Sequence, residues 1–376
     1  MTFSSLKNYG TMESTAVNND SSNNIGPGKG FLNLLKRIWY HLLVLFIGGK
    51  WSLIETFTRH RKLQDDETHQ RVRAETAVIT GGARGIGAEV VRQCLQLNMH
   101  VIIGCRKPSA GETLIQKLRD EGVSSGTAEA LPLDLNSLNS VRDFAQCILN
   151  KNVPVHYLLN NAGVMFHPFQ LTTDGIEAQF QTNYLSHFLL TNLLLPALNQ
   201  GGQSDKPSRV INVSSAAQYG GQLDFNNIDM KHEHSPHMAY MSSKLMQVIS
   251  TVDLNRRFQE KKMNVRIYAL HPGVVRTDLY EHVCWVNFFG RLLNVMFKTP
   301  EQGADGIMFV AVSQNVSADG GTFYANCTQQ AVNPLAFNRD VQDRLYNIST
   351  DLCQLNSSET TASKSCSENI TLELNK

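Results

Sequence analysis

From Ala74 onward, short apolar runs alternate with longer stretches in which apolar residues recur with helical period. The short runs predict strands over Ala77–Thr80, His100–Cys105, Ala128–Leu133, His156–Leu159, Arg209–Val213, Val265–Leu270 and Gly321–Tyr324. The longer stretches predict helices, among them Gly85–Leu97, Leu138–Leu149, Ile176–Leu198, Ala239–Phe258 and Pro300–Val312. Strands separated by helical spacers imply right-handed βαβ crossovers. The predicted class is therefore α/β: a single Rossmann-type, doubly wound parallel sheet with helices on both faces. Phe188–Leu195 is apolar enough to suggest a membrane span, but Asn183, His187 and Asn192 interrupt the pattern, which suits a buried central helix better.

Upstream the pattern is different. Residues 1–30 are rich in Ser, Asn, Thr and Gly and are expected to be disordered. Residues 31–54 contain the apolar run Ile38–Gly49, shorter than the roughly 20 residues a spanning helix needs. With Trp39, Tyr40 and Trp51 near its ends, this segment suits a membrane anchor or an amphipathic helix packed on the domain. Basic residues flank it on both sides, with a small excess after it, which leans towards a cytosolic catalytic domain. Residues 55–73 read as a linker, 74–350 as the folded domain and 351–376 as a disordered tail. On this division, everything up to residue 54 is expected to be dispensable for chemistry.

Composition narrows the function. A net charge of +1 gives no support for a nucleic-acid partner. Seven cysteines without paired spacing or nearby histidines indicate neither a disulfide framework nor a metal site. Glycosylation triplets decide nothing, since Asn212-Val213-Ser214 falls in a predicted buried strand.

The candidate chemistry lies at strand ends. The first strand runs into Thr80-Gly81-Gly82-Ala83-Arg84-Gly85-Ile86-Gly87 and then a helix. Such a turn lets backbone N–H groups approach a pyrophosphate at the positive end of the helix, so Gly81, Arg84, Gly85, Ile86 and Gly87 are cofactor candidates. The second strand ends at Arg106, where an acid would grip the ribose 2′-hydroxyl of NAD. An arginine there, helped by Arg84, suits the 2′-phosphate of NADP, so NADP(H) is the preferred cofactor with NAD(H) possible. Asp134, with Leu135 beside it, follows the third strand and is placed to meet an adenine. Asn160, Asn161, Ala162 and Gly163 follow the fourth strand as a small polar turn beside the cofactor ribose.

Tyr240 and Lys244 stand four apart and so share a helical face. A phenol with a pKa near 10 is a poor base at neutral pH, but a neighbouring ammonium and a positive nicotinamide would lower that value. Ser214-Ser215 ends the fifth strand, where a hydroxyl can polarise a substrate oxygen, and Asn183 suits a water-holding role in a proton relay.

Together Thr80–Gly87, Asn160–Gly163, Asn183, Ser214-Ser215, Tyr240–Lys244 and His271-Pro272-Gly273 resemble the short-chain dehydrogenase/reductases over roughly residues 74–335. The resemblance implies catalysis by Ser215, Tyr240, Lys244 and Asn183. It also implies a nicotinamide site at Pro272, Gly273 and Val274 with Thr277. Within the family the chain is similar to the membrane-linked retinol-dehydrogenase group, which implies residence at the endoplasmic reticulum or, alternatively, lipid droplets. After Thr277 comes an apolar stretch from Val283 to Phe297, including Trp285, Phe288 and Phe289. It is expected to roof the substrate cleft, or to form a dimer contact or core helix. The expected reaction interconverts a lipophilic alcohol and its aldehyde or ketone, an isoprenoid first and retinol or a steroid second. A non-catalytic dinucleotide-binding regulator is the rival from another class, and a homodimer is possible.

Overall fold

The computed structural model of the chain describes residues 27–58, 72, 74–276 and 297–355. Residues 1–26 of the expected disordered start, most of the expected linker, Thr277, most of the Val283–Phe297 stretch and the tail beyond residue 355 lie outside these, whereas residues 27–30 of that start are helical. Two compact units are distinguished, residues 1–39 and 40–376.

Eight strands form one sheet in the order β3-β2-β1-β4-β5-β6-β7-β8. They are β1 (Thr76–Thr80), β2 (His100–Cys105), β3 (Thr127–Pro132), β4 (Tyr157–Asn160), β5 (Ser208–Val213), β6 (Val265–His271), β7 (Thr322–Ala325) and β8 (Thr328–Gln330). The first seven run parallel and β8 folds back antiparallel on β7. The predicted doubly wound α/β class is what the chain adopts. Strand order reverses between β1 and β4, and a crevice opens at such a point outside the carboxyl ends of the strands.

Alternation along the strands sorts the core into two layers. Val78, Ile102, Leu158, Val210 and Ile267 pack against the helices Leu138–Asn150 and Pro236–Glu260. Their neighbours Ile79, Ile103, Leu159, Ile211 and Tyr268 pack on the opposite face against the helices Gly85–Gln96 and Pro300–Val312. Strands buried on both faces read as unbroken apolar runs, which is why β1 and β2 are so clear in sequence.

The stretch expected as one helix over Ile176–Leu198 is divided. It holds a single turn at Ala178–Phe180, a wide π turn at Gln181–Leu185, the helix Ser186–Leu193 and, with Pro196 in its first turn, the helix Leu195–Gly201. Phe188, Leu189 and Leu190 are buried in the core, as a central helix requires. At the other end, the helix Arg339–Leu352 packs Leu345 inward, and Tyr184 Oη lies 2.7 Å from Ser349 Oγ. The fold reaches Cys353, which is fully buried, and so runs past residue 350.

The N-terminal helix spans Pro27–Phe57 and includes Glu55, where the sequence suggested a linker. Among the described residues no helix is long and apolar enough to cross a membrane. This one is two-faced instead. Within the second unit, Tyr40, Leu43, Val44, Ile47, Trp51 and Glu55 turn towards the protein, while Leu42, Phe46, Leu53 and Phe57 are exposed. In the first unit Leu34, Leu35, Ile38 and Trp39 are exposed as well.

Candidate active site

The glycine turn and the loop after β4 are fastened together. Gly81 has φ +67°, and a Cβ there would come within 2.9 Å of the Ala162 Cβ. A Cβ on Gly87 would lie 2.3 Å from the Gly81 carbonyl oxygen and 2.7 Å from Asn161 Nδ2, so no side chain fits. Thr80 Oγ1 accepts the N–H groups of Asn161 and Ala162, each at 3.0 Å, and Asn161 Nδ2 donates to the Thr80 carbonyl at 3.0 Å. The following helix starts at Gly85, and the side chain of its N-cap residue, Arg84, makes no capping bond. A close-packed loop with no side chain at Gly81, Gly82 or Gly85, leading to helix N–H groups, fits a pyrophosphate.

The rim of this cradle is basic. Gly81 donates to the Gly104 carbonyl at 2.9 Å, which joins the turn to the end of β2, and Arg106 lies exposed just beyond. Arg84 and Lys107 are exposed too. Asp134 Oδ1 accepts the Asn136 N–H at 3.0 Å, which shapes the turn after β3. The buried Leu135 offers its carbonyl to Ser186 at 2.6 Å. Asn160 departs from the expected polar turn. It is wholly buried, and its Nδ2 donates to Asn212 and Thr191 at 2.9 and 3.1 Å, inside the sheet and helix core. Being the last residue of β4, it points its amide into the core layer, and only its neighbours Asn161–Gly163 form the turn.

Tyr240 and Lys244 lie on the helix Pro236–Glu260, which begins with Ser235 as N-cap and Pro236 in its first turn. Both are buried, and the ammonium sits 5.7 Å from the phenol ring centroid. Lys244 Nζ donates to the Val213 carbonyl at 2.9 Å and to Gln247 Oε1 at 3.1 Å. Ser215 Oγ accepts the Ala217 N–H at 3.1 Å and stands near enough to the Tyr240 hydroxyl to favour its ionised form, while Ser214 is occupied with the Lys244 carbonyl at 2.8 Å. Asn183 sits within the π turn. Its Oδ1 accepts the Val164 N–H at 2.8 Å, and its Nδ2 donates to the Val164 carbonyl and to Ser243 Oγ, both at 3.0 Å. A Cβ on Gly163 would meet Asn183 Oδ1 at 3.2 Å and Lys244 Nζ at 3.6 Å, so the glycine lets three elements converge.

The electrostatics correct one expectation. Burial pushes the Tyr240 phenol up to about 12, against the lowering effect of Ser215. Burial likewise brings the Lys244 ammonium down to about 7. The ammonium is turned to Val213 and Gln247 and does not offset the dehydration of the phenol. The ammonium alone therefore does not lower the phenol, and the expected lowering needs the positive nicotinamide beside it.

The turn after β6 brings in residues that the motif reading passed over. Gly273 has φ +101°, and a Cβ there would lie 2.5 Å from the Lys298 side chain. The Val274 N–H donates to Glu55 Oε2 at 3.0 Å. Around Tyr240, Met165, Ala217, Met238 and Met241 form an apolar cluster closed by Leu43, Val44 and Ile47 of the N-terminal helix. Phe166 meets the Tyr240 ring edge-on at 5.3 Å. Only the helical period of residues 40–55 hinted that this segment has a side facing the domain.

The signature of the family described as short chain dehydrogenase matches residues 75–284, more than half the chain. The chain belongs to the short-chain dehydrogenase family. It is thus an NAD(P)-dependent oxidoreductase acting on CH–OH groups, within the retinol-dehydrogenase-like group. This short-chain dehydrogenase is 37% identical to human polyprenol dehydrogenase over 278 residues, covering 73% of this chain and 84% of that one. It is 35% identical to human retinol dehydrogenase 12 over 287 residues, covering 76% and 88%. Among solved structures, Pseudomonas aeruginosa RhlG with NADP shares the fold, with a TM-score of 0.55 at 22% identity over 69% of this chain and 96% of that one.

Proposed function

We propose that this oxidoreductase interconverts a lipophilic alcohol and its carbonyl compound, with a long-chain isoprenoid of the polyprenol or dolichal type as substrate. The observation that carries this reading is the setting of Tyr240. Its ring packs among methionine and aliphatic side chains and the edge of Phe166, surroundings that suit hydrocarbon. The similarity to human polyprenol dehydrogenase supports the isoprenoid.

When bound, a nicotinamide supplies or accepts hydride at the substrate carbon. Tyr240 Oη gives the substrate oxygen its proton in reduction and takes it back in oxidation. The Ser215 hydroxyl, which lies beside that phenol, polarises the same oxygen. Lys244, on the same helix, is placed to reach a ribose, and Asn183 ties the loop at Val164 to Ser243 of that helix. Gly81, Gly85, Ile86 and Gly87 would hold the pyrophosphate, Asp134 and Leu135 the adenine, Asn161–Gly163 the ribose and Pro272–Val274 the nicotinamide, to which the resemblance adds Thr277, outside the described residues. Arg106 and Arg84 favour NADP(H) through its 2′-phosphate.

The exposed Leu42, Phe46, Leu53 and Phe57 suit attachment to a lipid surface, at the endoplasmic reticulum with the catalytic unit in the cytosol. The test is turnover by the purified full-length protein in detergent, with dolichal, retinal and a keto-steroid, each with NADPH and NADH. The proposal expects the highest kcat/KM for dolichal with NADPH. Preference for retinal or the steroid would overturn the isoprenoid assignment, and no turnover of any would favour a regulator.

A further inference from the structure

The catalytic unit begins at Tyr40, inside the N-terminal helix. One stripe of that helix, Tyr40, Leu43, Val44, Ile47, Trp51 and Glu55, runs at three- and four-residue spacing, so all six side chains lie on one face. The first four pack on the apolar cluster that contains Tyr240. The last two reach a different place. Trp51 stacks parallel to Tyr219 with centroids 6.1 Å apart and meets His271 edge-on at 5.6 Å. Glu55 is almost completely buried, where a carboxylate is tolerated only with strong partners.

Its partners all belong to one structure. Oε2 accepts the Val274 N–H at 3.0 Å, and Oε1 lies 3.3 Å from His271 Nε2 and 3.9 Å from Lys298 Nζ. Lys298 is itself paired with the same turn through its backbone: its N–H donates to the Val274 carbonyl at 2.9 Å, and its carbonyl accepts the Arg276 N–H at 3.1 Å. Its ammonium is held by Asn326 at 2.6 Å. Although burial works to raise the carboxyl of Glu55, His271, Lys298 and the Val274 N–H outweigh it and hold it below the usual value. An ionised carboxylate from the N-terminal helix thus joins the end of the strand entering the Pro272–Val275 turn, the turn itself and the segment at Lys298 that bridges to it.

We propose that Glu55 is a positioning residue of the active site, fixing the Pro272–Val275 turn against which the nicotinamide amide is held. The inference rests on the cofactor reading of that turn. It makes the N-terminal helix part of the catalytic apparatus, with Tyr40–Ile47 walling the substrate side and Trp51–Glu55 bracing the cofactor side.

Titration of the full-length Glu55→Ala and Glu55→Gln proteins with NADPH and with 2′-phospho-ADP-ribose, which lacks nicotinamide, tests this. The account expects Glu55→Ala to raise the Kd for NADPH about tenfold and to leave that for 2′-phospho-ADP-ribose within about twofold. Glu55→Gln keeps an acceptor for Val274 but loses the charge facing His271 and Lys298, and it should fall between. Equal weakening of both ligands in the Gln variant would mean Glu55 serves only to hold the fold, and unchanged NADPH binding in either variant would overturn the proposal. Wild-type protein that binds 2′-phospho-ADP-ribose as tightly as NADPH would instead remove the nicotinamide-turn reading on which it rests.

Discussion

Lys244→Met should make the protein's stability less dependent on pH while ending its activity. The Lys244 ammonium titrates at about 7 in the fold, against an ordinary value of 10.5, because burial strips it of water. The unfolded chain therefore binds more protons across that window, and stability rises with pH through it. At neutral pH this dehydration costs on the order of 4 kcal/mol, from a shift of more than three pKa units at about 1.4 kcal/mol each. By about pH 9 the folded amine is neutral and the cost has fallen by about 2 kcal/mol. Methionine matches the length of the side chain without its charge, but it leaves the Val213 carbonyl and Gln247 Oε1 without their donor, at about 1–3 kcal/mol each. The net change at one pH is thus a small difference, whereas the pH slope isolates the ammonium. Urea unfolding of both proteins from about pH 7 to about pH 9 should show the wild type gaining about 2 kcal/mol on the variant. Cys94, Cys353 and Tyr240, raised by burial to about 12, are present in both proteins, and their contributions cancel in the comparison. Parallel stability curves would refute the burial of a titrating Lys244.

Arg106→Asp should raise KM for NADPH about ten- to hundredfold more than KM for NADH, since a charge-assisted bond is lost and a repulsion added; equal effects in steady-state kinetics would remove Arg106 as the discriminator. Deleting residues 1–39 should leave turnover of a short aldehyde within about threefold, whereas deleting 1–54 should reduce it by at least about tenfold, because Leu43, Val44 and Ile47 leave the Tyr240 cluster. Equal activity of the two truncated proteins, with equal thermal midpoints, would contradict that role of the helix. Phe46→Glu with Phe57→Glu on the exposed face should weaken co-sedimentation with phospholipid vesicles and leave kcat on the short aldehyde unchanged; undiminished co-sedimentation would show that this face is not the membrane contact.

The parallel strands were legible because burial on both faces writes them as apolar runs, and Tyr240 and Lys244 because helical spacing fixes their common face. Other features depend on contacts that sequence does not display. Strand β8, Thr328-Gln329-Gln330, is polar and carries no alternation, and it exists by pairing with β7. The π turn around Asn183 goes with its amide bonding the Val164 backbone, a link across 19 positions. Asn160 sat in a motif expected to face the cofactor, yet the pleat of β4 turns its amide inward. Glu55 followed an apolar run and looked like the start of a polar linker. Its partners lie more than 200 residues away, so nothing local marks it as buried. The Tyr240 phenol shows the same limit in electrostatics: spacing gives the neighbour, but burial and the direction of the ammonium decide the pKa.

The central claim is that Tyr240 transfers the substrate proton, and Tyr240→Phe tests it most directly, since only one buried oxygen is removed. Single-turnover reduction of dolichal by NADPH should slow by about a thousandfold or more, in line with loss of a general acid. The Kd for NADPH, measured by fluorescence on the same protein, should stay within about twofold, because the glycine turn and Arg106 are untouched. A variant that binds NADPH normally and reduces dolichal at a rate near that of the wild type would contradict the account.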